Sequence, residues 1–328
     1  PEPLDAYFDA ERNLPVATPL MRKDCAPICD GAAALVLTSK PQAVRVAGLG
    51  SATESSSILD RDALTFLVAT RRAAQIAYWR AGIADPSELE GLGVESHDAF
   101  NSLLPIGLVD LGLFEPGEVI EALVGDPRSA PADPLDNPVT GPRGRVPTNL
   151  SGGLKARGHP VGGTGLFQIC ENYLQLTERF PNPGAQVPGA RIGLSHSIGG
   201  PGNNNYVTII ERADGRRRQS DVAAPRLHFE SRRRRPEREH MADLDGARAT
   251  VEAATTIHVT AGGESPIHVA LLRIDGRRVF ARLDHAPREG EVPEEVLAGQ
   301  KVKLLVKGDG DAYFQIPRGR GLDLGRLV

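Results

Sequence analysis

The chain has few cysteines and few aromatic side chains. Of its 328 residues three are cysteine and one is tryptophan, and aromatic residues make up 5%. Cys25, Cys29 and Cys170 are too few and too scattered to predict a disulfide framework, so the composition best fits a reducing, cytoplasmic setting. We expect no metal site at Cys25 and Cys29, because the sequence offers no second cysteine pair to complete one.

Long apolar runs are also lacking. No stretch approaches the roughly 20 apolar residues that a membrane-spanning helix needs, and the first residues do not follow the pattern of a signal peptide. The sequence therefore predicts no membrane span. The chain starts at a proline rather than a methionine, which we interpret as processing or as coding sequence that lies upstream.

Charge is balanced overall but not along the chain. The formal net charge is -4, yet arginines are concentrated between residues 212 and 238, where apolar residues are few. Such a basic run can bind nucleic acid or an acidic partner. A regular interleaving of aromatic residues, which a nucleic-acid platform needs, is missing. We therefore predict a basic, flexible linker over 213–245 and do not expect nucleic-acid binding.

The sequence before this linker alternates between two hydrophobic periods. Short apolar or alternating runs predict strands, and apolar residues at i, i+3 and i+4 predict helices between them. The predicted strands lie at 44–49, 92–95, 191–194 and 206–210, and the predicted helices at 67–81 and 163–178. Strands that alternate with helices predict an α/β fold for residues 1–212.

The sequence after the linker has a different character. It contains short strand-like runs between 251 and 316, and Asp275-Gly276 is a strong two-residue hairpin turn. Five short strands in so few residues predict a small all-β barrel over 246–328. An OB-fold is our preferred interpretation, and an SH3-like barrel is the alternative.

Three histidines stand in loops that follow short apolar runs. His97 follows the strand predicted at 92–95, His159 lies within a glycine-rich stretch, and His196 follows the strand predicted at 191–194. Glycine lets the backbone approach a ligand closely and adopt positive φ angles. The three loops therefore predict one active site for a small ligand.

Four motifs surround these histidines. In chain order they are Asp30-Gly31-Ala32-Ala33-Ala34, His97-Asp98-Ala99-Phe100, Gly152-Gly153 with Gly158-His159-Pro160 and Gly162-Gly163-Thr164-Gly165, and His196-Ser197-Ile198-Gly199-Gly200-Pro201-Gly202. In this order and spacing, residues from about 10 to 212 resemble the C-terminal half of a thiolase, particularly of the archaeal and sterol-carrier-protein-x types. The resemblance implies half of a five-layered α/β/α/β/α fold. It also implies an acetyl-CoA acetyltransferase-like activity, with coenzyme A thioesters as substrates and no cofactor or metal.

The resemblance also implies roles for the three histidines. His159 would activate a nucleophilic thiol and help to hold a thioester oxygen. His97 stands where the commoner thiolases have an asparagine that orients an oxyanion-hole water, and a neutral imidazole can donate the same hydrogen bond. His196 falls where many thiolases carry a second cysteine, the base for the Cα proton, and an imidazole of pKa near ~6.5 suits that task.

Further residues are implied for substrate binding. The backbone N–H groups of Ile198, Gly199 and Gly200 would form an oxyanion hole, and Gly158 would let the thioester approach. Asn149 is interpreted equally well as a ligand contact and as a turn residue.

The nucleophilic cysteine of the family lies in an N-terminal half that this sequence does not include. We therefore expect the chain to be inactive by itself, and to work as a homodimer or homotetramer or with a partner chain that supplies that half. Two alternatives remain open. One is a thiolase-fold retro-aldolase that cleaves a β-hydroxyacyl-CoA without the cysteine, and the other is a non-catalytic scaffold subunit. The last part of the chain is more loosely similar to the OB-fold domain of acyl-CoA-handling proteins.

Overall fold

The computed structural model divides the chain into two compact units. One unit comprises residues 25–228, and the other comprises residues 1–24 together with 229–328. Most of the segment predicted as a basic linker, residues 214–240, lies outside the described residues. None of the described helices is long and apolar enough to cross a membrane. The described residues are 13–61, 65–125, 133–213, 241–257, 267–284, 298–307 and 312–315.

The unit 25–228 is built on a mixed sheet with helices on both faces. Elements are numbered along the whole chain, so its first strand is β3. The strands are β3 (Val44–Thr53), β4 (Leu92–Glu95), β5 (Ile192–Gly199) and β6 (Asn204–Arg212), and the helices are α1 (Val68–Ala81), α2 (Leu103–Asp110), α3 (Val119–Val124), α4 (Gly153–Arg157) and α5 (Thr164–Leu176). The strand order is β3-β6-β5-β4, with β4 and β5 parallel and the other pairs antiparallel. The predicted α/β architecture is confirmed.

The faces of the sheet are covered by different helices. Helix α1 lies directly on β3, where a Cβ atom at Gly50 would overlap the carbonyl group of Ala73, so only glycine permits this approach. Gly82 ends α1 with a φ of 69°, the left-handed cap that its position predicts. Helix α5 covers the opposite face, where Asn172 bonds to β5.

Strand β5 is longer than the sequence predicts, and this moves one of the expected loops. The strand continues to Gly199 and pairs with β6 throughout, with His196 opposite Val207. Ser195 and His196 are polar residues, but both find buried hydrogen-bond partners on opposite faces of the sheet. Because those distant partners satisfy the polar groups, the strand does not end at residue 194 as expected.

The second unit contains a closed five-stranded barrel. Its strands are β7 (Arg248–Ile257), β8 (Ile267–Ile274), β9 (Arg277–Leu283), β10 (Lys301–Val306) and β11 (Ala312–Gln315). They follow the order β7-β8-β9-β11-β10, and β10 pairs again with β7. Asp275 and Gly276 both have positive φ angles, as a type I′ hairpin turn requires. The small all-β barrel is confirmed, and its assignment as an OB-fold stays a prediction.

The N-terminal residues join this barrel unit. Strands β1 (Pro15–Ala17) and β2 (Leu20–Met21) form a hairpin, and Ala17 pairs with Ile257 of β7. The backbone N–H of Thr18 also donates to the carbonyl oxygen of Thr256 at 2.9 Å. Residues 13–24 therefore do not belong with the α/β unit, in contrast to the division at 1–212. The composition of the N-terminal residues does not predict that they pair with β7, a strand far away in the sequence.

Candidate active site

His97 is held just beyond the end of β4, a strand whose four residues are all buried. Its ring is 5% exposed. Burial, reinforced by the nearby histidines and Arg157, lowers the pKa of His97 to about 3. The ring is therefore neutral at physiological pH and can donate a hydrogen bond from one nitrogen and accept one at the other.

His159 reaches the same place from a glycine-flanked loop between α4 and α5. Gly158 follows α4 and has a φ of 97°, and this conformation turns the chain at the residue before His159. The backbone N–H of His159 donates to the carbonyl oxygen of Pro27 at 2.8 Å, and the N–H of Cys29 donates to the carbonyl oxygen of His159 at 3.3 Å. Both backbone polar groups of His159 are thus hydrogen-bonded, and its side chain remains partly exposed.

The rings of His97 and His159 lie edge to face. Their centroids are 5.1 Å apart and their planes are inclined by 85°. Partial burial and the positive charge of Arg157 lower the pKa of His159, although the carboxylate of Asp98 opposes the shift. Two neutral imidazoles in this arrangement can divide the tasks of proton acceptor and hydrogen-bond donor.

Thr164, at the start of α5, orients the ring of His159. Its hydroxyl oxygen lies 2.7 Å from Nδ1 of His159 and 3.3 Å from the carbonyl oxygen of Pro160. When the single hydroxyl proton is donated to Pro160, the oxygen accepts a hydrogen bond from Nδ1–H. That tautomer leaves the lone pair on Nε2, the form that a general base needs.

The loop that carries His97 is anchored by neighbouring polar groups. Asp98 accepts a hydrogen bond from the backbone N–H of Leu154 at 2.7 Å, at the start of α4. Asn149 holds both backbone groups of Ser96, accepting from its N–H at 2.7 Å and donating to its carbonyl oxygen at 3.1 Å. Asn149 also has a φ of 49°. It lines a cavity of about 760 Å³, but its amide already serves the loop, which favours the turn role over ligand contact.

His196 is buried near His97, and its role as the base for the Cα proton stays a prediction. Its side chain is fully buried, with Nε2 3.2 Å from Oγ1 of Thr70 and Nδ1 3.2 Å from Oγ of Ser96. Burial lowers the pKa of His196 to about 4. Thr70 donates its own proton to Oδ1 of Asn205, so its oxygen accepts from Nε2–H of His196. Both ring nitrogens are therefore engaged within the core.

The serines on either side of His196 point to the opposite face of β5. Asn172 of α5 donates a hydrogen bond to Oγ of Ser195 at 3.0 Å. A Cβ atom added at Gly165, near the start of α5, would lie 3.1 Å from Oγ of Ser197. Ser197 therefore faces the same helix end as the His159 loop, although no sequence pattern favoured it over His196.

The predicted oxyanion turn is only partly a turn. Ile198 and Gly199 still belong to β5 and pair with Asn205 and Asn204. Gly200 begins the connection to β6 and has a φ of 58°. The backbone expected to bind an oxyanion is thus shared between a strand and the tight turn that follows it.

Several contributing residues were missed by sequence reasoning. Thr164 and Asp98 stand within the quoted motifs, five residues after His159 and one after His97, so their spacing was the available signal. Arg157 was harder to identify from the sequence, because it stands between the two glycine groups of the motif and is not itself part of the motif. Within the part of the chain that the structure describes, no group of three or more His, Cys, Asp or Glu side chains is arranged to hold a metal ion.

Comparison with known proteins agrees with this fold and these loops. Residues 50–212 match the model of a family described as thiolase C-terminal domain-like. An acetyl-CoA acetyltransferase of Methanothermobacter thermautotrophicus is 37% identical over 204 residues, which are 60% of this chain and 49% of that protein. Sterol carrier protein 2 of Bos taurus is 32% identical over 190 residues, 53% of this chain and 31% of that protein.

A solved structure supports the same fold for most of the chain. The SCP2-thiolase like protein type 1 of Mycobacterium smegmatis superposes with a TM-score of 0.61 at 16% identity, covering 92% of this chain and 59% of that one. The fold and loops thus define a thiolase-like region. Residues 50–212 of this chain belong to the thiolase C-terminal domain-like family. The chain spans about half the length of the archaeal relative that it matches.

Proposed function

We propose that the unit 25–228 supplies the histidine part of the active site of a thiolase-type acyl-CoA C-acyltransferase. The observation that carries the proposal is the pair of neutral rings, His97 and His159, at 5.1 Å on adjacent loops. Similarity to an acetyl-CoA acetyltransferase over this region supports a coenzyme A thioester as substrate.

In this proposal His159 is the general base for a thiol. Nε2 takes the proton of the nucleophilic S–H group, and the sulfur attacks the thioester carbonyl carbon of an acyl-CoA. The C–S bond to coenzyme A then breaks, and the departing thiolate takes the proton from Nε2. Thr164 keeps the required tautomer through its contact with Nδ1, 2.7 Å away.

His97 acts as a hydrogen-bond donor in the same proposal. Its low pKa keeps the ring neutral, so it does not compete with His159 for the proton. Its Nδ1 atom is buried without a protein hydrogen-bond partner in the described structure. The protonated nitrogen of this neutral ring can donate to a thioester oxygen or to an intervening water, which would stabilise the developing negative charge.

The nucleophile comes from outside this set of residues in the proposal. Ile28, Val36 and Leu37 are 79%, 93% and 79% exposed, in a segment that leads to and follows the Asp30-Gly31 motif. Exposed apolar side chains in sequence are a feature of surfaces that other protein covers. Their exposure supports a further protein region over this side of the unit, and that region would carry the cysteine.

The experiment uses the full chain with the N-terminal half of the archaeal relative supplied in trans. Thiolysis of acetoacetyl-CoA is followed for the wild type, for His159→Ala and for Arg145→Gln. We expect His159→Ala to lower kcat by about 10²–10⁴-fold, the usual contribution of a general base. Arg145 is a control because its ion pair with Glu118 is exposed.

Other outcomes separate the alternatives. Wild-type turnover by His159→Ala contradicts the proposal. Cleavage of a β-hydroxyacyl-CoA without a covalent acyl intermediate identifies a retro-aldolase instead. Absence of both activities, with the chain still stabilising a complete partner enzyme, identifies a scaffold.

A further inference from the structure

Behind the two histidine loops, two glutamates approach each other inside the α/β unit. Glu95 ends β4 and is 3% exposed. Glu171 lies on α5, and its side chain is 13% exposed. The two carboxyl groups lie close enough for each to act on the pKa of the other. Two buried carboxylates at such a distance repel each other strongly unless a proton lies between them.

The neighbours of the two carboxyl groups differ. Glu95 accepts hydrogen bonds from Oγ of Ser151 at 2.7 Å and from its backbone N–H at 3.3 Å. Glu171 receives the cation of the cluster, with Nε of Arg157 3.0 Å from Oε1. The second oxygen of Glu171 is buried without a hydrogen-bond donor in the described structure. Glu171 thus has a cation beside one oxygen, whereas its other oxygen makes no hydrogen bond of good geometry in the described structure, although Ser151 is near enough to lower the pKa of Glu171.

We propose that Glu95 carries a proton and donates it in a hydrogen bond to Glu171, and that this acid pair, with Ser151 and Arg157, positions the loops of His97 and His159. The proton gives a well-directed donor to the second oxygen of Glu171, which is buried without one. Arg157 then balances the one remaining negative charge. The positioning role rests on the proposed function of the two histidines, whereas the shared proton does not.

The electrostatic surroundings support this assignment of the proton. Burial, followed by the charge of Glu171, holds the pKa of Glu95 well above its usual range, although Ser151 and Arg157 act against the rise. Burial also raises the pKa of Glu171, and the neighbouring Asp98 adds to that rise, but Arg157 is the first of the groups that lower it. The cation therefore favours a charged Glu171 and a neutral Glu95.

The cluster lies where it can fix both histidines. Glu95 precedes His97 by two residues, and Arg157 precedes His159 by two residues. Ser151 connects them, because its Oγ also accepts a hydrogen bond from the backbone N–H of Gly153 at 3.2 Å, at the start of α4. Helix α4 is thus held to β4 at its first turn and to α5 through Arg157 at its last.

The first test detects the proton itself. Infrared spectra of the full chain, with ¹³C-labelled glutamate side chains, are recorded at pH 7 without substrate. We expect the C=O stretch of a neutral carboxylic acid in the wild type and in Glu118→Gln, a control with an exposed ion pair. The band should be absent from Glu95→Gln. Lack of the band in the wild type, or its persistence in Glu95→Gln, overturns the proposal.

The second test uses the asymmetry of the pair. A glutamine at 95 mimics the neutral acid, since its amide N–H donates to Glu171 and its oxygen accepts from Ser151. A glutamine at 171 instead leaves Arg157 with a buried, unpaired charge. At pH 7 we expect Glu171→Gln to lower the urea midpoint clearly more than Glu95→Gln does. Equal losses, or a larger loss for Glu95→Gln, contradict the assignment.

The third test addresses positioning through pH and histidine reactivity. The raised pKa of Glu95 means that its contribution to stability is full at low pH and is lost as pH rises through its unfolded and then its folded pKa. Glu95→Gln should remove that part of the pH profile. Loosening by Glu171→Gln should speed carbethoxylation of the His159 ring severalfold relative to the Glu118→Gln control. An unchanged labelling rate in Glu171→Gln contradicts the positioning role, whether or not the chain proves to be an acyltransferase.

Discussion

The two units of this chain bury different kinds of side chain. In the barrel strands that the structure describes, the buried residues are apolar apart from Thr256 and His268. In the α/β unit, buried acids, histidines and amides are concentrated around the ends of β4, β5 and α5, among them Glu95, His97 and His196. Buried polar groups cost stability unless each is paired. The contrast indicates that the barrel core serves mainly to stabilise the fold, whereas the α/β unit loses some stability to the buried polar groups that form its candidate site.

Two histidines of the α/β unit, His159 and His196, differ in how fully their rings are hydrogen-bonded. The ring of His159 is hydrogen-bonded at Nδ1 by Thr164, whereas the ring of His196 is bonded at both nitrogens in the core. A partly exposed ring with an available lone pair can exchange protons with a ligand. A fully bonded, buried ring instead specifies how the sheet and α1 pack.

The barrel core should be the more sensitive to loss of volume. The ring of Phe314 is 0% exposed, so Phe314→Ala should lower the free energy of unfolding of the barrel by about 3–5 kcal/mol. Phe280 is 49% exposed and serves as the matched control. Hydrogen exchange of the β10 amides measures the loss, which should leave the reactivity of His159 unchanged. A similar loss in Phe280→Ala would contradict the described core.

The buried ring of His196 should make the α/β unit sensitive to acid. Its folded pKa of about 4 lies below the unfolded value of 6.5, so the unfolded chain binds the proton first. The free energy of unfolding is therefore highest at pH values above the unfolded pKa. It falls by an amount on the order of 3 kcal/mol as the pH falls toward the folded pKa. His196→Asn should remove this part of the dependence.

This comparison is best made in the Glu95→Gln background, where the opposite contribution of the carboxyl group is absent. Urea unfolding at pH 7 and pH 4.5 measures the change. An equal acid sensitivity with and without His196 would show that its ring is not held neutral in the fold.

The glycine before His159 should resist substitution. Gly158 has a φ of 97°, and a Cβ atom there would lie 2.6 Å from Sγ of Cys29. Gly158→Ala should therefore cost about 1–3 kcal/mol in free energy of unfolding. Adding Cys29→Ala should recover the part due to the clash and leave the part due to backbone strain. Complete recovery in the double variant would assign the whole cost to the clash.

The smallest effect should come from the group that orients His159. Thr164→Val keeps the shape of the side chain but removes the contact to Nδ1, and we expect roughly a tenfold fall in kcat of the reconstituted enzyme. Thr164→Ser keeps a hydroxyl and should retain most of the activity. If valine and serine give the same rate, Thr164 does not set the tautomer.

Sequence reasoning predicted the local features of this molecule well. The α1 helix with its Gly82 cap, the Asp275-Gly276 hairpin and the glycine context of His159 are all determined by nearby residues. The face of β5 was harder to predict, because strand side chains alternate and a shift of one residue exchanges His196 for Ser197. The acid pair was not predicted either. Glu95 and Glu171 are distant in sequence and meet only when β4 and α5 pack together.

The assignment of His159 as the accessible ring of the site is tested by site-resolved carbethoxylation of histidines in the full chain. Diethyl pyrocarbonate attacks a neutral, accessible imidazole nitrogen, and mass spectrometry locates each modified ring. We expect His159 to react, and His97 and His196 to react far more slowly because they are buried. Adding acetoacetyl-CoA should protect His159. Rapid labelling of His196 with an unreactive His159 would contradict the assignment of the site.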